Sequence, residues 1–218
     1  SMSVDKDQYI WFEYIFNFKD REKKIFTVYL DKLTTLAIPP ADCKETDWTK
    51  LDFNQCEICP LDPKKVRNCP IAFNISGLAE GFYQIYSTEE VEIVVNSAER
   101  SYFKKDSIQQ GLRGILGVYM ATSGCPHMNI LKSMARFHLP FASIEETIYR
   151  HIGNYLISQY YEYVSGNKPD LDLNELIKKN SMVSQVNHGI CNRLEKITDS
   201  DANKNAIIIL NAMGILLH

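Results

Sequence analysis

The chain has no hydrophobic run long enough to cross a bilayer. Its most apolar stretch, 206–217, is broken by Asn211 and falls well short of the ~20 residues a transmembrane helix needs. Nor is one charge in excess. Twenty-four Lys and Arg stand against 27 Asp and Glu, a net charge of −3. There is no basic stripe to release counterions from phosphates, so generic nucleic-acid binding is not expected. Proline is scarce at 8 residues, while hydrophobic residues reach 45% and aromatics 11%; such a chain is neither disordered nor of low complexity. Near the N-terminus Asp5, Lys6 and Asp7 occupy the place where a signal peptide needs its apolar segment. A cytoplasmic location is therefore expected, with no membrane partner. No G-x-S-x-G elbow, Walker loop, H-E-x-x-H pair, dinucleotide fingerprint or internal repeat is present.

What the 218 residues do contain reads as α+β: a small antiparallel N-terminal sheet with one helix, a Cys-rich connector, then a C-terminal helical bundle. The expected division is 1–105 for the α+β region, with the connector at 41–69, and 106–218 for the bundle, packed as one unit. Tyr9 to Phe18 and Ile25 to Leu30 are aromatic and β-branched runs around a charged turn, which predicts a hairpin; a short extended piece from Thr34 stops at Pro39 and Pro40. Pro70 suits the first position of a helix reaching Tyr86, with Ile71, Ile75, Leu78, Phe82 and Ile85 at helical spacing. Val91, Ile93 and Val95 alternate through a strand, and Ser101 to Lys104 returns from it. Ser107 with Gln110, and Ser143 with Glu146, have capping-box spacing for two helices. The first ends at Gly124; the second carries Ile144, Ile148, Ile152, Tyr155 and Leu156 on one side. A third helix repeats Leu176, Val183, Ile190 and Ile197 at intervals of seven, and a fourth begins near Asp201.

The unusual count is six cysteines. In a reducing compartment they remain thiols, so a group of them points to metal binding or catalysis rather than disulfides. Cys56, Cys59 and Cys69 are spaced C-x2-C-x9-C, and Cys125 follows 56 residues later. A two-residue gap lets two thiolates of one turn reach the same ion, and zinc takes four such ligands. These four cysteines are the expected metal ligands, with His127 or Cys43 able to substitute as the fourth, and His127 or His138 as a possible additional ligand or base. Cys59, Cys69 and Cys125 are each followed by proline, a step also found in iron-sulfur ligation, so an iron-sulfur cluster is the alternative to zinc. With four protein ligands the site is closed and structural. A redox or catalytic thiol at Cys125, with its pKa lowered by a helix N-terminus, is the competing reading.

Arg136, Glu146 and Arg150 form a candidate polar site in a segment that also holds His138 and His151, although Glu146 and Arg150 have a sufficient role as cap and one-turn ion pair. Asn180 and Asn187 lie on the apolar stripe of the third helix, which predicts register hydrogen bonds or a ligand pocket. Gly111, Gly114 and Gly117, three apart, permit a close helix crossing.

The phrases WTKLDFNQCEICPLDP, NCPIAFNISGLAE, MATSGCPHM and MARFHLPFASIEETIYR resemble those of an uncharacterised family of bacterial cytosolic proteins with no established activity. The resemblance implies that Cys56, Cys59, Cys69, Cys125, His127 and His138 belong to shared motifs; Asn54 stands where members often carry His. The expected function is a non-enzymatic regulatory or interaction module with a structural zinc site, meeting a protein or small-molecule partner. The alternative is a metal- or thiol-dependent enzyme or redox sensor using Cys125 with His127 or His138.

Overall fold

The computed structural model describes residues 6–78 and 89–198. Five antiparallel strands make one sheet in the order β3-β2-β1-β4-β5, from β1 (Tyr9–Asn17), β2 (Lys24–Asp31), β3 (Ala37–Ile38), β4 (Glu90–Asn96) and β5 (Ser101–Ser107). The predicted hairpin is β1-β2, with Tyr9 opposite Asp31. Alternation decides its faces: Phe12, Tyr14 and Phe16 are buried with Val28, Leu30, Val91, Ile93 and Val95, while the intervening side chains are only partly covered. Both edges are blunted, β3 by its two-residue length and β5 by the charges of Lys104, Lys105 and Asp106. β3 is shorter than expected because Asp31 Oδ1 accepts from the amides of Leu33 and Thr34, and Thr35 turns the chain at φ 57°. The ladder resumes only at Ala37.

The helices that follow the sheet are α1 (Pro70–Ile75), α2 (Ile108–Thr122), α3 (Lys132–Arg136), α4 (Ile144–Val164) and α5 (Asn174–Thr198). Helix α2 lies on the buried face of the sheet and sinks Leu112, Ile115, Leu116 and Tyr119 into the core. Its glycines do not serve a helix crossing as expected. A Cβ on Gly111 would collide with the Phe16 ring, and one on Gly114 would fall 2.6 Å from the Tyr14 hydroxyl, so these two let the helix approach the sheet. Gly124, at φ 92°, ends the segment in the left-handed conformation expected of it.

The two capping boxes differ. Ser143 and Glu146 form theirs in full, at 3.1 and 2.7 Å. Ser107 makes no side-chain cap, because its backbone is still in the β4-β5 ladder opposite Glu90. The predicted apolar side of α4 is not a buried one: only Tyr155 is buried, while Ile144, Ile148 and Leu156 are exposed. On α5, Leu176 and Ile190 are buried and Val183 packs against the core. The side chain of Ile197, the Phe82 and Ile85 end of the first predicted helix, and the helix predicted from Asp201 lie outside the described residues.

Candidate functional site

The Cys-rich connector is more ordered than its lack of periodicity suggests. Lys50 and Asn68 form an antiparallel bridge, flanked by hydrogen bonds from Leu51 N to Arg67 O and from Cys69 N to Thr49 O. This narrow ladder closes a loop that carries Cys56 and Cys59, and Cys59 N donates to Cys56 O at 2.9 Å in a tight turn between them. Cys69 then leads into α1 and Cys125 into a 3-10 turn at Pro126–Leu131; the two have nearly the same backbone, with φ/ψ of −62/119° and −64/123°. Each proline occupies the first helical position, where its missing N–H costs nothing. His127 hydrogen-bonds through Nε2 to Ile58 O at 2.8 Å, tying the second Cys-Pro turn to the two-residue gap between Cys56 and Cys59.

Electrostatics group four of the six thiols. Burial pushes the Cys56 thiol up, and Cys69 and Cys59 push it further. Burial likewise raises Cys125, to about 11, against the backbone amides of His127 and Met128 that favour its thiolate, and Cys69 and Cys59 again add to the rise. Burial thus works against the expected low-pKa thiol at Cys125, desolvation outweighing the helix terminus. Cys43 is apart: its Sγ donates to Asn74 O, at the end of α1. Cys191 is buried on α5 and feels Glu195. Among the described residues, no group of three or more His, Cys, Asp or Glu side chains is arranged to hold a metal ion. Cys56 and Cys125 thus each feel Cys59 and Cys69, but the four sulfurs are not arranged as a metal site.

The residue that sequence reasoning missed is Arg193 of α5. It is fully buried, and its guanidinium donates to Trp48 O (2.6 Å), Lys50 O (2.7 Å) and Leu51 O (3.3 Å), all in the first arm of the narrow ladder. Its Nε is buried with no hydrogen-bond partner. Burial lowers its pKa; Cys69, Cys56 and Cys59 oppose that fall, ahead of Asp52. A cation so placed is suited to offset negative charge on sulfur. One turn earlier, a Cβ on Gly189 would collide with Cys56 Sγ, so this glycine admits the thiol against α5. The signal in the sequence was an arginine three residues after Ile190 on an apolar stripe.

His138 is elsewhere, in a cavity of about 420 Å³ whose lining includes Lys104, Gln110, Arg113, Gly117 and Arg150. Its Nε2 shares a hydrogen bond with the hydroxyl of Tyr14, which reaches it beneath Gly114. Burial, helped by Arg150, lowers the imidazole to about 3, so it is neutral. The predicted grouping of Arg136, Glu146 and Arg150 is not assembled. Arg136 donates to Lys32 O and Thr35 Oγ1, Glu146 completes its cap, and Arg150 donates to Met134 O and Phe137 O, with Glu146 acting on it only through its charge. Asn180 makes the predicted inter-helix link, to His151 of α4 at 2.8 Å.

Among the described residues, no helix is long and apolar enough to cross a membrane. No curated protein and no solved structure matches the chain. A family model described as a domain of unknown function (DUF6901) matches residues 12–218, and the chain belongs to that family.

Proposed function

We propose that this protein is a non-enzymatic regulatory or interaction module whose connector is stapled to its helical half by zinc, with Cys56, Cys59, Cys69 and Cys125 as ligands. The reading rests on Arg193. A buried guanidinium without a recorded ion pair among the described residues, its Nε unpartnered and three thiols its principal favourable electrostatic neighbours, is costly if those thiols are neutral. Four thiolates on one Zn²⁺ leave the centre net negative, and that charge is what Arg193 would balance. Metal binding would bring the four sulfurs onto one ion. The interaction role draws on α4, which leaves Ile148, Tyr149, Ile157, Tyr160 and Tyr161 exposed on a well-formed helix.

An iron-sulfur cluster is the second reading, favoured by the Cys-Pro steps at Cys59, Cys69 and Cys125. Elemental analysis of protein purified without a metal-affinity step separates the two. Colourless protein with about one zinc per chain is expected; brown protein containing iron and sulfide overturns zinc. Metal-free protein, with all four thiols alkylated at the rate of Cys43, overturns both.

A further inference from the structure

The cavity that holds His138 has no part in the cysteine site, and its chemistry is of one kind. Arg113 and Gln110 line it with no hydrogen-bond or ion-pair partner among the described residues. Arg150 lines it too, and its two hydrogen bonds among the described residues both leave from Nη2. The one carboxylate in the lining, Asp106, is paired with Lys104 at 2.8 Å. Among the described residues the Tyr14 hydroxyl hydrogen-bonds to His138 Nε2 alone, and which of the two donates follows the tautomer of the imidazole. The other ring nitrogen, Nδ1, has no hydrogen-bond partner among the described residues. Much of the rest of the lining is apolar, including Leu131, Met134, Leu139 and Phe141, with Ser143 and Thr147 adding hydroxyls. At Gly117 an added Cβ would meet nothing within 4 Å, unlike at Gly111 and Gly114, so packing does not require this glycine and its absent side chain leaves the cavity open.

We infer that this cavity binds a small organic carboxylate: an anionic head facing Arg113 and Arg150, and an apolar body against the walls between α2 and α3. Its volume is within the ~300–1,000 Å³ of ligand pockets, which characteristically combine apolar walls with a few convergent polar groups. The charged groups left uncommitted here, Arg113 and part of Arg150, are cations, which disfavours a cationic ligand, and the apolar lining disfavours an inorganic anion that must keep its water.

The test is isothermal titration of the full chain with octanoate, octylammonium and octan-1-ol. Octanoate is expected to bind saturably and at least about tenfold tighter than the other two, a charged hydrogen bond being the difference. Arg113→Gln should weaken octanoate about tenfold while leaving the urea midpoint unchanged. Gly117→Leu, which fills the space, should abolish binding with the circular dichroism spectrum intact; if that variant does not fold, Arg113→Gln still decides. No saturable octanoate binding at millimolar concentration overturns the inference. So does equal affinity for octylammonium or octan-1-ol, or an octanoate affinity unaltered in Arg113→Gln.

Discussion

A neutral histidine under a tyrosine is a measurable feature of this molecule. His138 is held to about 3 in the folded chain by burial and by Arg150, against about 6.5 when unfolded. Between those values the unfolded chain binds a proton that the folded chain refuses. Stability from this group is therefore complete above about pH 6.5 and is lost as pH falls toward 3, by up to about 1.4 kcal/mol per unit. His138→Gln removes that contribution. Urea unfolding of wild type and variant at pH 7 and pH 4.5 should show the wild type losing more on acidification, since the carboxylates common to both cancel in the comparison; parallel losses would mean that His138 already titrates normally. The pair was half legible in the sequence. Alternation put Tyr14 on the buried face and His138 had no helical duty, but the contact spans 124 residues and no periodicity reports it.

Within helix α2 the three glycines have the same spacing and different surroundings, and substitution separates them. Gly111→Ala drives a methyl into the Phe16 ring and should destabilise by about 1–3 kcal/mol, the cost of overpacking. Gly117→Ala meets nothing and should stabilise by up to about 1 kcal/mol through helix propensity. Equal urea midpoints for the two variants would contradict the placement of α2 on the sheet. The caps give a second contrast: Ser143→Ala should cost about 1 kcal/mol, whereas Ser107→Ala, which loses no cap hydrogen bond, should lie within about 0.5 kcal/mol of wild type. Strands and helix starts were readable because alternation and capping residues are local signals. What local signals did not supply was burial of α4, since Ile144, Ile148 and Tyr155 repeat at helical spacing whether or not anything covers them, and only Tyr155 is covered. The connector was opaque for the opposite reason: its order comes from a bridge between Lys50 and Asn68 and from the grip of Arg193, both set by residues distant in sequence.

Across the whole molecule, the proposed staple joins segments that lie outside the strands of the sheet. Cys56 and Cys59 sit on the connector loop, Cys69 at the start of α1 and Cys125 after α2, while Arg193 and Gly189 bring α5 against them. A metal at that junction binds the folded arrangement and not the open chain, so its affinity adds to stability: free metal at about a thousand times Kd is worth about 4 kcal/mol. Chelation should therefore lower the urea midpoint of the wild type by an amount that grows with chelator strength. Cys43→Ser should respond in the same way, because its thiol faces Asn74 and not the junction. Cys56→Ser should begin less stable and be indifferent to chelator, and Gly189→Ala, which crowds Cys56 Sγ, should fall between them. If chelator leaves the wild-type midpoint where it was, or lowers that of Cys56→Ser equally, then Arg193 holds the connector to α5 through its carbonyl hydrogen bonds alone and the four thiols are packing groups.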